Sequence, residues 1–343
     1  MRAVTTSRLS LVLPSLPDLS TDFLNAVQTY AEQHNDPLTL FRKLLSRADK
    51  STISNADQHA LIFNILTGET QAPPVAALRA LADDLQPKPD DYWLCADPVH
   101  LHPDLDHLLL FAGGALNPTP AQATRFIEEL NELFSEDGFE FVIGSHQHWY
   151  MRCEQRPDAG FTSISEVMGK NILPFMPTGN DQKLWRRYLN EIQMQMTASE
   201  VNQQRTESNL AEVNSVWCWG GGTLPDLPVC TYHRVYTEQA FTKGLARHLH
   251  LDSSPILESI KSEMFYDGEQ LLEFSELTDA DDPQIVAAFL HRLGQDYLNT
   301  LYSDIKKGKL KELVIYFAGQ RYVINNKTLR RWWRRTFPLT RLH

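Results

Sequence analysis

From residue 92 onward the chain alternates between two kinds of segment. Short aromatic and β-branched runs of strand length trade places with longer stretches whose apolar residues recur at the helical period. Residues 92–96, 107–111, 139–143, 148–151, 229–236, 271–274, 313–317 and 321–324 read as strands, and residues 9–13 as a first strand stopped by Pro14. The best-marked helix has Thr119 as N-cap, Pro120 at its first position and Gln122 completing a capping box. Others cover residues 181–196, 238–250 and 283–307. Such alternation predicts an α/β chain with a mixed central sheet flanked by helices. Four helical patterns between Thr21 and Leu85 predict a helical insert or subdomain over residues 20–88, within a single α/β domain over 1–343.

Near the middle stands Asn214-Ser215-Val216-Trp217-Cys218-Trp219-Gly220-Gly221-Gly222. The apolar part reads as a buried strand. The glycines let the backbone approach a neighbour closely and adopt positive φ. A strand that opens into bare backbone N–H groups suits a small anion, so Asn214, Trp217, Trp219, Gly220, Gly221 and Gly222 are candidate ligand-binding residues. A tight chain reversal beside packed tryptophans is the alternative. No GK[ST] follows and Pro225 and Pro228 intervene, so neither a P-loop nor a dinucleotide fingerprint is present.

A second cluster is Asp97-Pro98-Val99-His100-Leu101-His102-Pro103-Asp104-Leu105-Asp106-His107. Imidazole and carboxylate suit zinc, manganese or iron, and HxH places two rings on one side of an extended backbone. His146-Gln147-His148 offers another such pair. His100, His102 and His146 are therefore candidate ligands for a divalent metal, and Asp97 and His100 candidate ligand-binding groups. A proline-fixed turn capped by Asp97 and Asp104 is the alternative. On the helix over 181–196, Arg186 and Arg187 could grip a phosphate or carboxylate beside Asn190 and Glu191, or line a solvated face with Glu191 pairing Arg187. Arg330-Arg331-Trp332-Trp333-Arg334-Arg335 predicts a packed terminal helix facing acidic neighbours or a protein partner.

The net charge of −11 argues against a general binder of nucleic acid or anionic membranes. It leaves room for a basic pocket that takes a small anionic metabolite. Cys95, Cys153, Cys218 and Cys230 show no CxxC pair and no zinc spacing, which predicts free thiols in a reducing cytoplasm. No apolar stretch reaches the length of a membrane span.

At Asp97-Pro98-Val99-His100-Leu101, at Leu189-Asn190-Glu191-Ile192-Gln193-Met194 and at the Trp-x-Trp-Gly-Gly-Gly run, the chain resembles a bacterial family of unassigned activity. Its members carry the labels cofactor-independent phosphoglycerate mutase-like and RpfE-type regulatory protein. The first label implies an alkaline-phosphatase-like α/β fold, two divalent metals and a Ser or Thr nucleophile. Where that superfamily ends its first strand on a metal-binding aspartate, this chain has Leu13-Pro14-Ser15, and no later Asp-His cluster follows. The expectation is a phosphomutase-related protein lacking the usual metal ligands and binding a phosphorylated or carboxylated metabolite. An active metal-dependent mutase or phosphatase and a regulatory interaction module are the alternatives.

Overall fold

The computed structural model describes residues 7–16, 19–34, 38–53, 57–105, 107–114, 116–256, 268–275, 277 and 280–341. Along the chain the strands are β1 (Arg8–Val12), β2 (Asp49–Thr52), β3 (Tyr92–Asp104), β4 (His107–Ala112), β5 (Phe139–Ile143), β6 (Trp149–Cys153), β7 (Ser215–Gly222), β8 (Tyr232–Tyr236), β9 (Asp252–Ser254), β10 (Glu269–Glu273), β11 (Glu312–Phe317) and β12 (Gln320–Asn325). The α-helices are α1 (Thr21–Gln33), α2 (Thr39–Arg47), α3 (Gln58–Thr67), α4 (Val75–Ala82), α5 (Pro120–Leu133), α6 (Ile164–Val167), α7 (Gln182–Ala198), α8 (Glu200–Glu207), α9 (Ala240–His248), α10 (Pro283–Leu293), α11 (Asn299–Lys306) and α12 (Asn326–Leu329). They fall into two compact units, Met1–Gln71 with Pro228–His343, and Ala72–Leu227. Each unit has its own sheet, where one domain around one sheet was expected.

The first unit carries seven strands in the order β2-β12-β11-β1-β10-β8-β9. β11, β1, β10, β8 and β9 run parallel, while β12 and β2 continue the sheet antiparallel. β1 lies inside this sheet with helices to cover it, which is why its sequence reads as a nearly unbroken apolar run. Leu9 and Leu11 are fully buried with Leu24 and Val27 of α1, Phe41 and Leu44 of α2, and Leu290 and Leu293 of α10. Ser10, the polar break in the run, shares a 2.9 Å hydrogen bond with the Tyr232 hydroxyl. Pro283 and the Asp282 side chain open α10 as the sequence suggested, but a π-helical turn over Gly294–Leu298 separates it from α11.

The insert expected over residues 20–88 is not one helical body. β2 interrupts it and hydrogen-bonds to β12 as an exposed edge strand. α1 to α3 belong to the first unit and α4 to the second.

The second unit is organised around β3. Its first part, Tyr92–Cys95, pairs with β6, and its second, Val99–Asp104, pairs with β4. The opposite edge carries β7, antiparallel, from Trp93 to Val99. The expected metal-like turn at residues 97–104 is thus the far half of a long strand. The core packs Phe126 and Leu130 of α5 and Ile192 of α7 against Trp149, Met151, Val216 and Cys218. The capping box of Thr119 and Gln122 is formed as predicted.

Candidate functional site

The glycines after Trp219 continue β7 as strand rather than leaving it as a loop. A Cβ on Gly220, which sits at φ +63°, would lie 2.9 Å from Val75 Cβ. One on Gly221 would lie 2.5 Å from the Tyr92 hydroxyl, and one on Gly222 2.5 Å from Pro74 Cβ. Their bareness admits the start of α4 and the side chains of β3. The polar groups beside them are engaged too. Asn214 brackets the backbone of Leu101, accepting from its N–H at 2.7 Å and donating to its carbonyl at 3.0 Å. The Trp217 indole donates to the Thr162 carbonyl at 2.9 Å, and that of Trp219 to Asp97 Oδ2 at 2.7 Å.

Asp97 in turn faces Arg79, which projects from an otherwise apolar α4. The two are 8% and 7% exposed. Arg79 grips the carboxylate from two points, Nη2 to Oδ1 at 2.5 Å and Nη1 to Oδ2 at 3.0 Å, and its Nε donates to the Tyr150 hydroxyl at 3.1 Å. Its guanidinium also lies over the rings of Tyr150 and Trp219. Burial works against the Arg79 charge, but the Asp97 carboxylate, Cys95, Tyr150 and the hydrogen bond to Asp97 together raise the guanidinium pKa well above its ordinary value. The Tyr150 hydroxyl donates to Asp83 Oδ2 at 2.5 Å, and His148 Nδ1 meets the same oxygen at 3.1 Å. Burial pushes the Asp83 carboxyl up, while hydrogen bonds from His148 and Tyr150 and the charges of His148 and Arg79 hold it below 3.8. Gly144 makes room for this corner, since a Cβ there would overlap Asp83 and come within 2.6 Å of the Tyr150 ring.

A continuous polar chain therefore runs from buried Trp219 through Asp97, Arg79, Tyr150 and Asp83 to His148, whose side chain is 33% exposed. Arg79, Asp83 and Tyr150 were not singled out from the sequence. The signal for Arg79 was there: a lone arginine among the apolar residues of Val75–Ala82 must find a buried anion.

The histidines do not gather as a metal set. His100 and His102 lie with ring centroids 5.8 Å apart, and His100 Nδ1 is 3.0 Å from the Glu212 carbonyl, to which it donates. His146 sits in the β5–β6 turn, where its carbonyl accepts from the Trp149 indole. Among the described residues no group of three or more His, Cys, Asp or Glu side chains is arranged to hold a metal ion; Asp106 lies outside those residues. Arg186, Arg187 and Asn190 face solvent on α7, and Arg187 pairs with Glu191 at 3.5 Å, one turn away.

The first unit holds a cavity of about 250 Å³ at the carboxyl ends of β1 and β11. Leu13, Pro14 and Ser15 form one wall, Gln58 and Leu61 of α3 another, and Phe317 a third. Asp57, also on the rim, caps α3 by accepting from the Ala60 N–H at 3.0 Å. Burial raises its carboxyl, but hydrogen bonds from His59 and Ala60 and the His59 charge bring it below its ordinary value. Next to the cavity, buried Glu273 accepts from Gln58 Nε2 at 2.9 Å and from the Thr237 hydroxyl at 2.7 Å. Gln58 Oε1 is buried with no hydrogen-bond partner among the described residues. Among the described residues no lysine, arginine or histidine lines the cavity.

No family model matches the chain. Over 79 residues it is 29% identical to the 2,3-bisphosphoglycerate-independent phosphoglycerate mutase of Methanothrix thermoacetophila, a stretch that covers 23% of this chain and 20% of that protein. The fold is shared with the PH0037 protein of Pyrococcus horikoshii, at TM-score 0.58 and 13% identity, covering 94% of this chain and 88% of that one. The cofactor-independent phosphoglycerate mutase of Thermoplasma acidophilum aligns over 93% of this chain and 89% of its own, at TM-score 0.45 and 13% identity. The resemblance to phosphoglycerate mutase-like proteins thus has a counterpart in a local sequence match, and the chain is mixed α/β with helices flanking its sheets.

Proposed function

We propose that this chain is a phosphoglycerate mutase-related protein that holds a small metabolite at the carboxyl edge of its parallel strands and does not perform two-metal phosphoryl transfer. The observation that carries the reading is the wall built by Leu13-Pro14-Ser15. The resemblance implies a metal-binding aspartate at the end of the first strand, and here an apolar pocket stands instead. Two-metal chemistry needs a full set of ligands to activate the nucleophile and neutralise the phosphate. The nearby carboxylates of Asp57 and Glu273 are engaged with a helix cap and with Gln58 and Thr237. The described residues therefore do not fit a metal pair.

Open α/β sheets take ligands at the carboxyl ends of their strands. The size of this cavity suits a fragment of a few heavy atoms rather than a nucleotide. With no cation among the described lining residues and Asp57 on the rim, a phosphate or carboxylate placed inside would be buried uncompensated. The pocket suits a small, largely apolar body with a hydroxyl at the polar rim of Ser15 and Asp57, any anionic group staying outside in water. A cytoplasmic setting and a regulatory role belong to the same reading.

Thermal denaturation against short-chain alcohols, hydroxy acids and 3-phosphoglycerate tests it. The hydroxylated compounds should raise the melting temperature, and Leu61→Trp, which fills the cavity, should abolish the response. Manganese-dependent turnover of 3-phosphoglycerate would overturn the reading in favour of an active metal-dependent enzyme.

A further inference from the structure

Residues 327–341 carry six basic side chains and no acidic one, in a chain whose net charge is −11. The packed terminal helix expected here is not formed. α12 is a single turn, closed by a capping box of Asn325 and Thr328, and the chain then enters an irregular turn. That turn is fastened on both sides. Arg331 Nη1 donates to the Asp49 carboxylate at 2.5 Å and to the Arg47 carbonyl at 3.2 Å, and Arg334 Nη1 to the Ala48 carbonyl at 2.8 Å. Beyond it, the Phe337 N–H donates to Ser46 Oγ and the Leu339 N–H to Gln28 Oε1.

Between these clamps Trp332 and Trp333 stand 79% and 64% exposed, their rings 6.2 Å apart and nearly perpendicular. Two adjacent indoles in water on a fastened turn, flanked by exposed Arg330 and Arg335, form a presented surface.

We propose that this turn docks on an anionic lipid surface, with the indoles at the headgroup level and Arg330, Arg335 and Lys327 facing lipid phosphates. Tryptophan and arginine are the side chains that bilayer interfaces and their anionic headgroups accommodate. The overall negative charge does not forbid it, because at physiological salt charges beyond about 8 Å are largely screened and the local patch decides. Single-stranded nucleic acid fits less well. Stacking platforms run along a basic groove, whereas these rings meet edge to face on one turn.

The test uses the full chain with sedimented vesicles of phosphatidylcholine alone and of phosphatidylcholine with phosphatidylglycerol, and a single-stranded DNA oligonucleotide as competitor. Binding should require phosphatidylglycerol, weaken with salt and blue-shift the tryptophan emission. W332A/W333A should remove both the binding and the shift. R330E/R335E should lower the partition coefficient by at least about tenfold, each basic group near an anionic surface being worth a several-fold change. Circular dichroism checks that both variants keep the fold, whose clamps they leave intact. Equal binding to neutral vesicles, unchanged binding by the variants, or capture of the oligonucleotide with none of the vesicles would overturn the proposal.

Discussion

Arg79 and Asp97 form a two-point ion pair inside the unit built on β3, with a tryptophan indole and a tyrosine hydroxyl completing the set. Removing one partner strands the other. Arg79→Met should destabilise the protein by about 3–5 kcal/mol, since it leaves the Asp97 carboxylate buried without its counter-charge. Replacing both by leucine should cost less than the single change. Urea unfolding followed by tryptophan fluorescence measures both.

At the other end of the same chain of contacts, Asp83 makes a pH-dependent contribution. Its folded pKa is depressed below 3.8, chiefly because hydrogen bonds from His148 and Tyr150 outweigh the effect of burial. The native state therefore favours the ionised form. The stabilisation is present above the unfolded pKa and is lost as pH falls through the folded one. Asp83→Asn should lower stability by roughly 1–3 kcal/mol at neutral pH. The gap between wild type and variant should close as the pH drops below 3.8. Unfolding midpoints across pH measure it.

The triple glycine can be tested as packing rather than as a cradle. Gly222→Ala forces a methyl group against Pro74, whose backbone Cα is 3.1 Å from the added atom and cannot rotate away. Overpacking of this kind costs about 1–3 kcal/mol. The melting temperature should fall while the response to the hydroxylated compounds stays as in the wild type.

The thiols sort by environment. Burial pushes Cys153 up to about 12, and Cys95 and Cys218 still higher. Cys230 is half-buried and only moderately raised. Reactivity needs thiolate and access. Ellman's reagent should modify Cys230 in the native protein and the other three only on unfolding.

Much of this architecture was legible because local chemistry and tertiary role agree. Thr119, Pro120 and Gln122 mark the start of α5 without reference to anything distant. β2 escaped because Asp49-Lys50-Ser51-Thr52 is wholly exposed and shows no alternation. The far half of β3 escaped because Pro98 and Pro103 argue against a central strand. The structure accommodates Pro98 where β6 pairing has ended at Cys95 and β4 pairing has not begun before Val99. Pro103 falls near the end of the hairpin, opposite Leu108. The site was less legible, for a physical reason. A carboxylate and the arginine that neutralises it need only meet in space, and Asp97 was visible while its partner was hidden in a helix that looked like core.

The host sheet is written in two pieces around a contiguous guest. On the ribosome, the stretch from Ala72 to Leu227 has all its partners in hand as soon as it emerges. β1 does not, since its neighbours in the sheet are Glu269–Glu273 and Glu312–Phe317. An apolar strand must wait with both edges unsatisfied until those strands have emerged, a condition that invites pairing with other chains. Folding of the contiguous segment needs none of the later strands, whereas the divided sheet closes only once β10 and β11 have been made.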